Sequence, residues 1–345
     1  MKEKKRGKPT PRRGKLVWAT GISGCGRKEH LARWQEYCEK KGKKVKIYHV
    51  GQMMFEWARL NEVPLTREKV LQAPDFVLNA VRGGVLEKIK GSLEKDLYEN
   101  DAVVISHHAN FFWQKIYRQA YNAYYIREFN PDMFVTFIDA GEDILERLKK
   151  RKQWLGQGID EKDVLLWQNI EVKDTKSFKQ WIDSDSKFFV IPIKQPVETL
   201  HHLLFKTERK IVYVQMPISH LGVDDLEKVK LFVRYLWNYF VVFDPLTIET
   251  GVIHAEEEGV VEDLTKHFQA VHRDLNWFIP QVDATIAYII KPVFTAGVID
   301  ECVEAYNSCK SVWVIFPEET SSPFLKFRAR IFKSTEEFFD FAKTQ

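Results

Sequence analysis

The sequence predicts an α/β protein of two doubly wound parallel-sheet domains, and three observations carry that prediction. Short apolar runs alternate with amphipathic stretches almost from end to end. Most of those runs are continuous rather than alternating, as parallel strands covered on both faces require. The 345 residues, 45% hydrophobic and 29% charged, suffice for two globular cores.

The first set of strands is KLVWAT (15–20), KVKIYHV (44–50), DAVVISH (101–107), MFVTFID (133–139) and KFFVIPI (187–193). The second, of four or five strands, includes KIVYVQM (210–216), YFVVFDP (239–245), DATIAYII (283–290) and SVWVIFP (311–317). Helical patterns between them supply the crossovers. Segment 52–95 is larger than a crossover needs, and Thr66 is placed to cap a helix running through TREKVLQAPDFVLNAVRGGVLEKIKGSLEK. The seam falls at KTERK (206–210), where no Pro/Gly/Ser-rich linker separates the halves, so they are expected to pack closely. The expected organisation is a basic disordered tail at 1–14, one domain at 15–206 and a second at 209–345.

Residues 2–15 hold eight basic residues against one acid, while the whole chain carries +4, so the positive charge belongs to the tail and not to the body. Any contact with nucleic acid is expected through that tail alone. No apolar run approaches the roughly 18 residues of a membrane span, and no apolar stretch follows the basic N-terminus as in a secretory signal. The expected location is cytoplasmic, away from membranes. Cys25, Cys38, Cys302 and Cys309 are scattered without a CxxC pair, as reduced packing cysteines are; neither a disulfide frame nor a metal site is expected.

Straight after the first strand comes GISGCGRKEH (21–30). Gly21 and Gly26 have the spacing of a phosphate loop, GxxxxGK[ST], and Gly24 adds freedom between them. Such a loop turns backbone N–H groups onto phosphate oxygens, its lysine reaches the β/γ-phosphates and its hydroxyl ligates Mg²⁺. Here Arg27 stands in the lysine position and Lys28 in the hydroxyl position. A guanidinium is a rigid planar fork, and a cation cannot ligate a cation.

Residues 15–206 resemble the adenylate kinase-like nucleoside monophosphate kinases. The likeness rests on this loop, on the helical insertion at 52–95, and on PDMFVTFIDAGEDILERLKKR (131–151), where Arg147 and Arg151 match arginines that clamp phosphates. VVISHHA (103–109) resembles the family's third strand, with Ser106 where an aspartate is usual and His108 matching a histidine of some archaeal-type members. The resemblance implies a P-loop kinase-like fold that binds ATP or another nucleotide. Three parts of the Mg²⁺–phosphate machinery are altered together, which implies a degenerate binding module rather than a transferase. The plain alternatives are a solvated helix face for the two arginines and strand-end packing for His107 and His108.

In the second half, VDATIAYIIKPVFTAGVIDECVEAYNSCKSVWVIF (282–316) places a strand from Asp283, a loop, and a helix opening near Gly297 with Glu301 in its first turn. A helix N-terminus at the carboxyl end of a parallel sheet favours a charged carboxylate and is where ligands of open α/β sheets bind. This stretch is similar to the nucleoside 2-deoxyribosyltransferase-like superfamily, which includes nucleoside 5′-monophosphate N-glycosidases. The motif residues are Asp283, Gly297, Glu301 and Ala305, and Tyr213, Pro217 and the Asp244-Pro245 pair fall at matching places on the first two strands. Met216 and Thr295-Ala296 depart from the usual residues, though Thr295 keeps a hydroxyl.

The resemblance implies a flavodoxin-like fold, Glu301 as nucleophile at C1′, and Asp283 or Asp244 orienting the sugar or protonating the base. It further implies Tyr213 steering the carboxylate, Pro217, Thr295 and Gly297 lining the substrate, no required cofactor, and a homo-oligomer. The overall expectation is an enzyme that cleaves or exchanges the N-glycosidic bond of a (deoxy)nucleoside or its 5′-monophosphate. A nucleoside monophosphate kinase with a C-terminal sensor, or a non-catalytic nucleotide-sensing assembly protein, stays open beside it.

Overall fold

A computed structural model describes residues 13–182, 185–217, 221–247, 264–291, 296–317 and 322–345. In the first half the strands are β1 (Lys15–Thr20), β2 (Val45–His49), β3 (Ala102–Ser106), β4 (Asn110–Trp113), β5 (Ile116–Gln119), β6 (Met133–Ile138) and β7 (Lys187–Pro192). Its helices are α1 (Arg27–Lys40), α2 (Val50–Leu60), α3 (Asp75–Glu99), α4 (Ala123–Phe129), α5 (Gly141–Lys149), α6 (Glu161–Ser177) and α7 (Glu198–Phe205). Five strands form one parallel sheet in the order β2-β3-β1-β6-β7, and β4 and β5 form a separate antiparallel hairpin.

The continuous apolar runs have the expected cause. Leu16 and Trp18 point into a core built with α2, α3 and α4, while Val17 and Ala19 point into one built with α1, α6 and α7. Both faces are covered, so the strand is apolar from Leu16 to Ala19, and the buried Thr20 finds hydroxyl partners in Thr136 and Thr175.

The second half contains β8 (Ile211–Gln215), α8 (Val223–Leu236), β9 (Val241–Phe243), α9 (Leu264–Arg273) and β10 (Ala284–Tyr288). It ends with α10 (Ala296–Asn307), β11 (Ser311–Ile315), α11 (Pro323–Arg328), β12 (Arg330–Phe332) and α12 (Thr335–Ala342). Its sheet is also all parallel, in the order β12-β11-β10-β8-β9, so the order reverses between β8 and β10.

The halves pack closely. One apolar cluster runs through both, from Trp34 and Trp167 to Phe243 and Phe278. The Gln281 side chain pairs with the edge strand β7, accepting from Val190 N–H (2.7 Å) and donating to Val190 O (3.1 Å). Asn169 on α6 donates to Gln269 on α9 at 2.9 Å.

Two expectations shift. The long helix of the insertion starts at Asp75, not at Thr66. Ala73 precedes Pro74 and takes an extended backbone (ψ 145°), since a proline ring excludes the helical region for the residue before it. Glu301 lies in the second turn of α10, which begins at Ala296. The helix dipole fades within the first turn, so packing rather than the helix end sets its surroundings.

Candidate functional site

The loop between β1 and α1 passes through three glycines of positive φ, Gly21 (147°), Gly24 (84°) and Gly26 (83°). A Cβ on Gly21 would lie 2.8 Å from Phe137 O, and one on Gly26 would lie 2.6 Å from Ile193 Cδ1. Only glycine fits that path. Gly26 has no side chain to cap α1, which leaves the helix start without the side-chain cap that would compete with an anion.

Arg27 turns inward. It donates through Nε to Ser106 Oγ (3.0 Å) and through Nη1 to Gly21 O (2.6 Å), and Nη2 lies 3.5 Å from His108 Nε2. Burial lowers its pKa. The Ser106 and Arg27 changes are therefore one change: the serine accepts from the guanidinium that replaces the lysine. Arg147 also serves the loop, donating to Gly24 O at 2.5 Å and pairing with the buried Asp139. Lys28 is exposed. These groups do not fit a Mg²⁺ ion: Lys28 is a cation where a hydroxyl ligand is needed, and Ser106, where an aspartate is usual, is engaged by the Arg27 guanidinium.

A buried glutamate anchors the arrangement. Glu171 on α6 accepts from Gly21 N–H (3.0 Å), Ala109 N–H (2.8 Å) and Asn110 N–H (2.7 Å). Burial pushes its carboxyl up to about 7 against those bonds and the nearby Arg27. Sequence reasoning missed it. The signal was present in α6, whose buried stripe of Val164, Trp167, Gln168, Glu171, Val172 and Thr175 holds three polar residues. Each is used: Gln168 bonds Asp139 N–H and O, and Thr175 pairs with Thr20.

Beside the loop lies a cavity of about 500 Å³, walled by Ser23, by Met54 and Phe55 of α2, by Leu78 and Arg82 of α3, by His108 and Phe111, and by Arg67 and Arg151. Arg82 is 3% exposed. Its Nη1 donates to Asn79 Oδ1 (2.6 Å), its Nε has no partner among the described residues, and burial lowers its pKa to about 10. His108, held well below its ordinary pKa by burial and by Arg27, is neutral. Three arginines and Lys152 against one acid, Glu68, give the cavity a positively charged lining.

In the second half the structure brings Tyr213 and Glu301 together, with the Tyr213 hydroxyl donating to Glu301 Oε1 at 3.2 Å. The same hydroxyl bonds Asp274, which sequence reasoning missed. Asp274 opens a π-helical turn (274–278) at the end of α9 and pairs with Arg273 at 2.9 Å. Burial raises its pKa against Arg273 and Tyr213. Two carboxylates thus share one buried tyrosine, which packs on Phe278 at 5.6 Å.

The other expected residues are spread out. Asp244 follows β9, accepts from Leu246 N–H (3.0 Å) and is pushed up to about 6 by burial. Asp283 is exposed at the amino end of β10 and accepts from Ile211 N–H at 2.8 Å, joining two strand starts. Pro217 is buried just past β8, and Gly297 is exposed in the first turn of α10. Thr295 and the tail through residue 12 lie outside the described residues. Among the described residues no helix is long and apolar enough to cross a membrane.

The glycine loop, the parallel sheet and the cavity beside them define a class, and a family comparison meets it. Residues 20–165 match the family model of an AAA domain. Similar solved structures include the shikimate kinase from Acinetobacter baumannii in complex with shikimate, with 11% identity over 56% of this chain and 95% of that one and a TM-score of 0.35. The shikimate kinase from Bacteroides thetaiotaomicron has 13% identity over 55% and 97%, TM-score 0.34. A conserved protein from Enterococcus faecalis V583 has 13% identity over 39% and 98%, TM-score 0.30. On its parallel sheet, its glycine loop and the family match over residues 20–165, the N-terminal half has a P-loop type of α/β fold.

Proposed function

We propose that the chain is a two-domain nucleotide-processing enzyme whose chemistry lies in the second half. In this reading residues 209–345 form a flavodoxin-like, deoxyribosyltransferase-like domain that breaks the N-glycosidic bond of a nucleoside or its 5′-monophosphate. The observation that carries it is the Tyr213 hydroxyl bound to Glu301 and shared with Asp274. The strand order 2-1-3-4-5, counted within that half, supports it, because such sheets bind ligands where the order reverses.

Glu301 attacks C1′ as the bond to the base breaks, forming a glycosyl ester that water or a second base then releases. Tyr213 fixes the carboxylate and Asp274 fixes Tyr213. Asp244, raised to about 6, has the pKa that suits an acid protonating the leaving base near neutrality. Asp283 holds strand ends and takes no part in the chemistry.

The first half binds a nucleotide phosphate through backbone N–H groups and does not transfer it, because Arg27 and Lys28 leave no place for Mg²⁺. The arginine-lined cavity favours a second reading, a phosphotransferase with its acceptor anchored there; the inward turn of Arg27 weighs against it. The test is free-base release, followed by chromatography, from ribo- and deoxyribonucleosides and their 5′-phosphates, with and without ATP. Release by wild type but not by Glu301→Gln is expected, and ATP is expected to change its rate. No release from any substrate overturns the glycosidase reading, and phosphoryl transfer from ATP establishes the second.

A further inference from the structure

On the face of β8 and β10 that α10 covers, two buried polar side chains stand without partners. Gln215 is 1% exposed and Thr285 is fully buried. Neither Gln215 Nε2 nor Thr285 Oγ1 has a hydrogen-bond partner among the described residues. Gln215 Oε1 accepts from the Cys302 thiol at 3.3 Å, and Cys302 is the residue after Glu301. That bond engages the carboxamide oxygen and leaves the N–H₂ as a donor without a partner among the described residues.

Both residues flank the carboxylate site. Tyr213, two residues before Gln215, shares its face by the pleat of the strand, and it is Tyr213 that reaches Glu301. Thr285 pairs with Tyr213 across the ladder, and Ala287, with only a methyl group, pairs with Gln215. Gln215 and Thr285 are therefore diagonal neighbours on that face, each beside Tyr213, with the small Ala287 at the fourth corner. Unpartnered buried polar atoms destabilise a fold, and the opposite face of the same strands is filled by Val212, Val214 and Ile286 without any.

We propose that Gln215 and Thr285 form a subsite for the sugar hydroxyl next to C1′, the 2′-OH, so that the second half selects ribosides over 2′-deoxyribosides. A hydroxyl both accepts and donates. Gln215 Nε2–H donates to it, and Thr285 Oγ1 accepts from it. The proposal rests on Glu301 facing a sugar. It differs from that reading in saying which sugar, and a site that hydrogen-bonds a hydroxyl discriminates strongly against the analogue lacking it.

The experiment titrates full-length protein with D-ribose 5-phosphate and with 2-deoxy-D-ribose 5-phosphate by calorimetry, for wild type, Gln215→Leu and Thr285→Val. Wild type is expected to bind the ribose compound at least tenfold tighter. Each variant should bring that ratio to about two or less. Each variant should also raise the melting temperature of the ligand-free protein, because a partnerless polar group has been removed. Thr285→Val is nearly isosteric, so the test stands if Gln215→Leu fails to fold. An unchanged ratio in the variants, no binding of either sugar phosphate, or a lowered melting temperature in both variants overturns the proposal. Base release is measured separately: its absence with the ribose preference intact sinks the glycosidase reading and leaves the subsite standing.

Discussion

Replacing Glu171 by glutamine should change how stability depends on pH, and the size of the change follows from its surroundings. The carboxyl is buried, and its pKa rises from an ordinary 4.5 to about 7. A carboxyl with a raised pKa holds its proton more tightly folded than unfolded. Its contribution to stability is complete below pH 4.5 and is lost as pH rises to 7. At about 1.4 kcal/mol per pH unit, the loss is about 3 kcal/mol. Glutamine cannot ionise and loses this slope. Its N–H₂ group must also face the N–H of Ala109 or Asn110, which costs about 1–3 kcal/mol at acid pH. Urea unfolding followed by tryptophan fluorescence at pH 5 and pH 7.5 reads both effects. Wild type should lose about 2 kcal/mol more than the variant across that interval, so the gap between them closes or reverses at the higher pH. Equal losses in the two proteins would refute the assignment of the raised pKa to Glu171.

Further outcomes are expected at other positions. Tyr213→Phe should fold normally, lose about 1 kcal/mol of stability with its hydroxyl bonds, and slow base release at least tenfold at unchanged circular dichroism. Asp283→Ala should cost about 1 kcal/mol in chemical denaturation and leave base release unaltered; a lost activity there would return Asp283 to the chemistry. Arg82→Met should weaken calorimetric binding of an anionic nucleotide by tenfold or more, since it removes a desolvated cation from the cavity wall. Arg27→Met should lower stability by about 2 kcal/mol, by stranding Ser106 Oγ and Gly21 O without their donor.

The nine strands read from the sequence were legible because both sheet faces are covered, which leaves an uninterrupted apolar signal. The β4–β5 hairpin was not. Its turn residues Gln114 and Lys115 both have positive φ (52° and 62°), a geometry that Asn-Gly usually announces. The three-residue β12 is too short to show a period. At the N-terminal site the glycine loop was plain, but the inward direction of Arg27 depends on Ser106, which lies 79 residues away. At the C-terminal site Tyr213 and Glu301 were found together through a motif. Asp274 escaped because a π-helical turn breaks the 3.6-residue period by which a helix face is read. Glu171 escaped for the opposite reason: it sits in a regular helical stripe, at a position an apolar side chain would usually hold.

The Gln281 side chain gives β7 what a neighbouring strand would give at Val190, an acceptor for its N–H and a donor for its C=O. The first half therefore finishes its sheet with an atom pair that lies beyond the seam. A fragment cut near residue 206 would carry Phe189, Val190 and Ile191 on an uncovered border, and borders of that kind recruit other chains. Expressed alone, the P-loop half should be prone to self-association.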